Sequence, residues 1–361
     1  MTEIPDLKVA LLGTTNSGKS SYLQGMYATL AAGLMNGFFL YCRDRKLDLQ
    51  LLAEWEELNT NGTFPETTRE GASFEYPFVL NAGIDPWLNF DMLDYRGGAL
   101  LTSDDEDPDV IRMRAQLRAA HSVYAVISCE HLTKRITPEN RAQVLMSTKI
   151  AAISTHLQRE IGRRRAEGAK PPSVVVLLTK ADLLRPRFQG QPGDVLFKEI
   201  VEDVRLLFPL AFQKHISAMI CPVRLGYFGT ADARQVQAPS VAPNNLMQPI
   251  AFTLLHRLGV ANAETARAVE QAQRTFTQAE QAEKSYGAKF FRTVAKEDAF
   301  AAATRAAAAK LAVLREQLAV DTSRYQDLGE QIGHLPLIQD GTVLDFASSS
   351  SSSSSSSADV Q

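Results

Sequence analysis

The sequence predicts an α/β protein: a three-layer domain with a mostly parallel sheet, followed by an α-helical hairpin or coiled coil. Three observations predict it. Up to about residue 262, short β-branched or aliphatic runs alternate with longer amphipathic stretches, the signature of βα units. Several of the short runs are apolar throughout, as strands covered on both faces require. From Glu264 onward alanine, glutamine and charge dominate, proline is absent until Pro336, and apolar residues recur at helical steps.

The strands expected in order are Lys8–Leu12, Ser73–Leu80, Leu88–Leu93, Ser122–Cys129, Ser173–Thr179 and His215–Pro222. The helices expected with them are Gly18–Leu34, Asp107–Ala120, Pro138–Glu167, Asp194–Leu210 and Asn245–Leu258. Thr137 followed by Pro138 is a helix start, with threonine as cap and proline at the first position. An additional helix over Lys46–Leu58 is predicted from Leu47, Leu51, Leu52, Trp55 and Leu58 at helical spacing. Arg224–Pro243, rich in Gly, Ala, Gln and Pro, reads as an insertion or loop.

Beyond it, Val269, Ala272, Phe276 and Ala279 step by three and four and continue through Tyr286 and Phe290. A second set runs Leu311, Leu314, Leu318, Tyr325, Leu328 and Ile332, with Asp321 at the skipped position. Two amphipathic helices paired as a hairpin or coiled coil account for this; two helices packed back on the first domain are the alternative. Ser348–Ser357 is an unbroken serine tract with nothing to bury, so a disordered tail is expected. The expected division is therefore 1–262, 263–335 and 336–361.

At 361 residues, 45% hydrophobic and 22% charged, the chain can bury an ordinary core. A net charge of −3 gives no global field favouring nucleic acid or an anionic membrane. Met1–Lys8 holds Glu3 and Asp6 and lacks a basic segment, so no secretory signal is expected. Leu30–Leu40, the longest apolar approach, is too short and glycine-broken to span a bilayer. Three dispersed cysteines, Cys42, Cys129 and Cys221, suit a reducing cytoplasm, and the histidines lack metal-ligand pairing.

The chemistry is concentrated in Gly13-Thr14-Thr15-Asn16-Ser17-Gly18-Lys19-Ser20, which matches G-x-x-x-x-G-K-[ST] between a strand and a helix. Backbone N–H groups of Gly13, Asn16, Ser17 and Gly18, continuing through Ser20 and Ser21, can turn around phosphates at a helix N-terminus. Lys19 would supply a point charge to the β- and γ-phosphates, and Ser20 a hydroxyl to Mg²⁺. A second motif ends the strand Leu88–Leu93: Asp94-Tyr95-Arg96-Gly97 fits D-x-x-G, with Asp94 toward the metal through water and the Gly97 N–H toward the γ-phosphate.

A third motif, Thr179-Lys180-Ala181-Asp182, closes an apolar strand. An Asp182 carboxylate can accept from guanine N1–H and its exocyclic amine, a pattern adenine does not offer. Ser217-Ala218 is read as ending the next strand and resembles the S-A motif that backs the base in GTPases. Between the additional helix and the second strand lies Thr63-Phe64-Pro65-Glu66-Thr67-Thr68-Arg69, which resembles the loop where GTPases place a threonine on the metal and the γ-phosphate; Thr67 and Thr68 are the candidates for that role, with Thr68 preferred.

Taken in order, these motifs resemble the TRAFAC-class, Ras-like P-loop GTPases over about residues 7–260. T-K-x-D resembles their N-K-x-D, with Thr179 in place of the asparagine that braces the P-loop. The leucine-rich helix before a Pro–Thr loop looks most like bacterial "double-GTPase" domains of conflict and regulatory systems, of which one unit is visible here. The resemblance implies a cytoplasmic, Mg²⁺-dependent GTP-binding and GTP-hydrolysing switch, cycling between GTP and GDP. Protein partners or self-association would involve the helical C-terminus. Where the family often carries glutamine after the D-x-x-G glycine this chain has Gly98, so an outside group such as a partner arginine is one candidate to assist hydrolysis, and Arg96 and Arg69 are the internal alternatives. A P-loop ATPase and a non-hydrolysing nucleotide-dependent scaffold are the alternatives.

Overall fold

The computed structural model describes residues 5–34, 37–64, 74–95, 107–189, 193–230, 235–287 and 294–344. It is a mixed α/β protein with a large, mostly parallel sheet and a C-terminal helical region. Two compact units are formed by Met1–Thr253 with Ile332–Gln361, and by Leu254–Gln331.

The strands of the first unit are β1 (Asp6–Leu12), β2 (Phe38–Cys42), β3 (Phe74–Ala82), β4 (Asp85–Asp94), β5 (Ser122–Ser128), β6 (Ser173–Thr179), β7 (Ser217–Pro222), β8 (Arg224–Gly226), β9 (Val241–Asn244), β10 (Leu337–Gln339) and β11 (Thr342–Leu344). Nine of them form one sheet in the order β11-β10-β7-β6-β5-β1-β4-β3-β2, and β8 pairs with β9 apart from it. β4, β1, β5, β6 and β7 are mutually parallel; on one wing β3 pairs antiparallel with β4 and β2 with β3, and on the other β10 pairs antiparallel with β7 and β11 with β10. Every residue of β5 and β6 is buried, which is why these two runs are apolar without alternation.

The helices are α1 (Lys19–Ala31), α2 (Arg45–Asn61), α3 (Pro108–Ala119), α4 (Pro138–Thr148), α5 (Ile150–Ala166), α6 (Arg185–Phe188), α7 (Gly193–Leu207), α8 (Gln248–Gly287) and α9 (Val294–Ile332). One sheet face is covered by α3, α5 and α7: Met113, Leu117, Ile153, Leu157, Val204 and Leu207 pack on Val123, Ala125, Val174 and Val176. On the other face Tyr27 of α1 stacks on Phe78 at 5.1 Å, and Tyr124 of β5 donates to Pro249 O at the start of α8 at 2.8 Å. None of the described helices is long and apolar enough to cross a membrane. Cys42, Cys129 and Cys221 are free thiols, all buried.

Several expected boundaries differ, each for a local reason. The single helix expected over Pro138–Glu167 is two, because Lys149 turns left-handed (φ 54) and its N–H caps Leu145 O. A non-glycine residue there costs about 1–2 kcal/mol, so nothing in its identity announces the break. The division near residue 262 falls inside the continuous helix α8. The strand expected over His215–Pro222 begins at Ser217, after His215 turns to φ 68. The tail expected from 336 instead opens with β10 and β11, joined by Asp340-Gly341, both at positive φ, the geometry that Asp-Gly favours in a two-residue hairpin. Leu337 and Ile338 are buried there, and β10 is hydrogen-bonded to β7.

In the second unit α8 and α9 run antiparallel, with Arg315 donating to Gln273 Oε1 at 2.8 Å and Tyr325 lying against Gly259. Ala272 and Leu311 are buried, and Asp321, also buried, accepts from Gln317 Nε2 at 3.1 Å. Within this unit α8 and α9 pair with each other.

Candidate functional site

In a parallel sheet the carboxyl ends of the strands share one edge, and ligands bind where the strand order reverses. Here β1 has β4 on one side and β5 on the other, so the reversal lies at the end of β1. The register brings Leu11 beside Asp94, Leu12 beside Ala125, and Ser128 beside Thr179. Gly13–Ser20, Asp94 and Thr179 therefore meet at one edge of the sheet.

Gly13 follows β1 with no room for a side chain: a Cβ would sit 3.0 Å from Val126 O and 2.9 Å from Ser17 Oγ. Asn16 (φ 62) and Gly18 (φ 83) are left-handed, which curls the loop back on itself before α1 begins. α1 starts with Gly18 as cap, without a side-chain cap bond and without an acidic residue in its first turn. By contrast α2 is capped by Asp44 and α3 by Asp107. An uncapped helix mouth approached by a curled backbone suits an anion.

Lys19 is 7% exposed. Its Nζ donates to Gly13 O at 3.0 Å and Thr14 O at 2.9 Å, and lies 4.0 Å from Asp94 Oδ1. Burial lowers the Lys19 pKa, and Asp94 partly restores it. Ser20 Oγ donates to Asp94 Oδ2 at 2.9 Å. Ser17 Oγ and Asp94 Oδ1 are both buried without a hydrogen-bond partner.

Burial raises the Asp94 pKa, and Lys19 and the Ser20 bond pull it down only in part. A raised folded-state pKa stabilises fully below the unfolded value, near 3.8, and that contribution is lost as pH rises through the folded value. At neutral pH the ionised carboxylate is accordingly a cost to the ligand-free protein. Asp94→Asn is expected to raise its melting temperature at neutral pH, by about 2–4 °C per kcal/mol released, and to flatten stability against acidification. Thermal melts across pH check this; an unchanged or lower neutral-pH melting temperature contradicts it.

Thr179 ends β6, 3% exposed, and its hydroxyl donates to Ser17 O. The same hydroxyl lies 3.4 Å from Ile127 O. A threonine thus makes the brace between this strand and the loop. Lys180 (φ 54) follows, with Nζ 3.8 Å from Glu130 Oε2. Asp182 Oδ2 accepts two backbone N–H groups, from Phe228 at 3.0 Å and Gly229 at 3.2 Å. Arg185 and Arg224 lie over the Tyr227 ring at 5.6 and 4.5 Å.

Ser217 and Ala218 are not at this edge. They open β7, and Ala218 pairs with Val174 near the start of β6, because parallel strands share their amino ends. The residue that does close β7 at this edge is Pro222, followed by Val223, whose N donates to Leu178 O at 2.7 Å and whose O accepts from Ala181 N at 3.0 Å. Ser21 lies in the first turn of α1. Thr67, Thr68, Arg69, Arg96, Gly97 and Gly98 lie outside the described residues. The turn Tyr227–Gly229, its contact with Asp182, and Glu130 were not foreseen; the segment Arg224–Pro243, expected as a loop, instead has Arg224–Gly226 paired with Val241–Asn244 as β8 and β9, and its bonds to Asp182 come from backbone N–H groups that residue identity does not announce. Among the described residues no cluster of three or more His, Cys, Asp or Glu could hold a metal. A cavity near Arg118, His121 and Arg163 lies at the opposite edge, where Arg164 caps the carbonyls of Leu117, Arg118 and Ala120.

No family model matches the chain, and no curated protein matches it. Among solved structures, crystal structures of two mutation variants of SsGBP are similar at 13% identity, with TM-scores of 0.24 and 0.25. The match covers 61% of this chain and 50% of each of those, so the chain spans about half their length. Likeness at that level bears on neither fold nor function.

Proposed function

We propose that the chain is a Mg²⁺-dependent GTP-binding and GTP-hydrolysing switch of the TRAFAC, Ras-like P-loop class. The observation that carries the reading is the convergence of Lys19, Ser20 and Asp94 beneath a curled glycine loop, at the point where the strand order reverses. Lys19 Nζ donates to Gly13 O and Thr14 O. A triphosphate would offer it oxygens of full negative charge, and the amides from Asn16 through Ser20 would turn to the same anion.

Ser20 Oγ and Asp94 fit a magnesium ion, because Asp94 Oδ1 is a buried carboxylate oxygen without a hydrogen-bond partner. When bound, Mg²⁺ would supply neutralisation of charge on the β- and γ-phosphates. The protein's part is positioning: Lys19 at the phosphate chain, Thr179 holding the loop through Ser17 O, and Asp182 at the base. Thr67 or Thr68 and Gly97 would complete the γ-phosphate end and respond to its loss. The helical hairpin is the segment proposed to carry protein partners or self-association.

A second reading, a P-loop nucleotide-binding protein indifferent to guanine, draws on the two backbone bonds to Asp182 Oδ2. Phosphate release separates the two. With magnesium, GTP is expected to be turned over slowly and in clear preference to ATP; equal turnover of both would overturn the guanine assignment.

A further inference from the structure

Asp182 is the carboxylate expected to read the base, yet its Oδ2 already holds two adjacent N–H donors of the same chain, Phe228 N at 3.0 Å and Gly229 N at 3.2 Å. Two adjacent N–H donors are what the Watson–Crick edge of guanine presents through N1 and its exocyclic amine, whereas adenine presents one donor beside an acceptor. The turn Tyr227–Gly229 has anchors of its own. Tyr227 N donates to Ser240 O at 2.9 Å, and its ring is flanked by Arg185 and Arg224.

Phe228 packs edge-on against Phe64 at 5.4 Å and 88°, the last described residue before the Pro–Thr loop. The same insertion meets that segment again where Val236 N donates to Gly62 O at 2.7 Å and Thr63 bridges Gln235.

We propose that the turn Tyr227–Gly229 is an internal latch on Asp182 that mimics the donor edge of guanine, and that guanine binding releases it and thereby moves Phe64 at the entrance of the Pro–Thr loop. The proposal rests on the reading of Asp182 as the base-recognition group. An adenine nucleotide, lacking the paired donors, would leave the latch closed.

Gly229 gives a clean test. It is left-handed at φ +70, and a Cβ there would meet nothing within 4 Å, so a side chain acts through the backbone alone. Gly229→Val disfavours the latched turn and is expected to tighten magnesium-GDP binding by about five-fold or more, with ADP binding unchanged. A Phe64→Trp reporter, in the full chain, is expected to change fluorescence on addition of GDP and not of ADP. Wild-type affinity for GDP in Gly229→Val, with a silent Phe64→Trp signal on saturation, overturns the latch while leaving guanine binding intact. Failure of either protein to bind any guanine nucleotide overturns the base reading itself, and the latch with it.

Discussion

Lys19→Ala lowers affinity for magnesium-GTP by about two to three orders of magnitude, the loss that removal of a preorganised charge from a phosphate site produces. Lys19 lies within reach of both loop carbonyls and Asp94, and its buried ammonium is already desolvated. The ligand-free fold should tolerate the change. Deleting the side chain forfeits two hydrogen bonds to carbonyls and the cation beside Asp94, and against that loss stands the removal of a charge that burial penalises, as the lowered pKa indicates. The signature is therefore a melting temperature close to wild type together with loss of nucleotide-induced stabilisation. A parallel fall in both would mean that Lys19 serves the fold.

Asp182→Asn is the second large effect. An asparagine presents one acceptor and one donor, so its amide would oppose one of guanine's two N–H groups while suiting xanthine, whose second group is a carbonyl. Leaving buried polar groups mispaired rejects a base strongly, so guanine affinity should fall by at least about 10²-fold and xanthosine nucleotides should bind in its place. Competition binding with GTP, XTP and ATP reads this directly. Unchanged selectivity would show that Asp182 serves only to hold Phe228 and Gly229.

Much of the sheet can be read from the sequence, because strands buried on both faces are written as unbroken apolar runs: Ser173–Thr179 is the same seven residues in both. The loop and Asp94 are legible because G-x-x-x-x-G-K-S and a carboxylate at a strand end have fixed relations to their strands. The edge strand Phe38–Cys42 merges with the apolar end of α1 and has no such punctuation. The break at Lys149 depends on a left-handed residue that is not glycine. β10 and β11 had a signal in Asp340-Gly341, overshadowed by the serine tract that follows. Ser217-Ala218 misleads because a dipeptide carries no strand direction, whereas the register of β7 against β6 sets it at the amino end. The contacts of Asp182 with Phe228 and Gly229 are made by backbone N–H groups, which every residue but proline carries, so residue identity could not reveal them.

The measurement that bears most directly on the account is calorimetric titration of the full chain with GTP in the presence of magnesium, beside ATP and beside Lys19→Ala. The glycine loop, the mouth of α1 and Lys19 together predict saturable binding of one GTP at about micromolar concentration or tighter, weaker binding of ATP, and loss of both in the variant. A folded wild-type protein that takes up neither nucleotide at about millimolar concentration would contradict it.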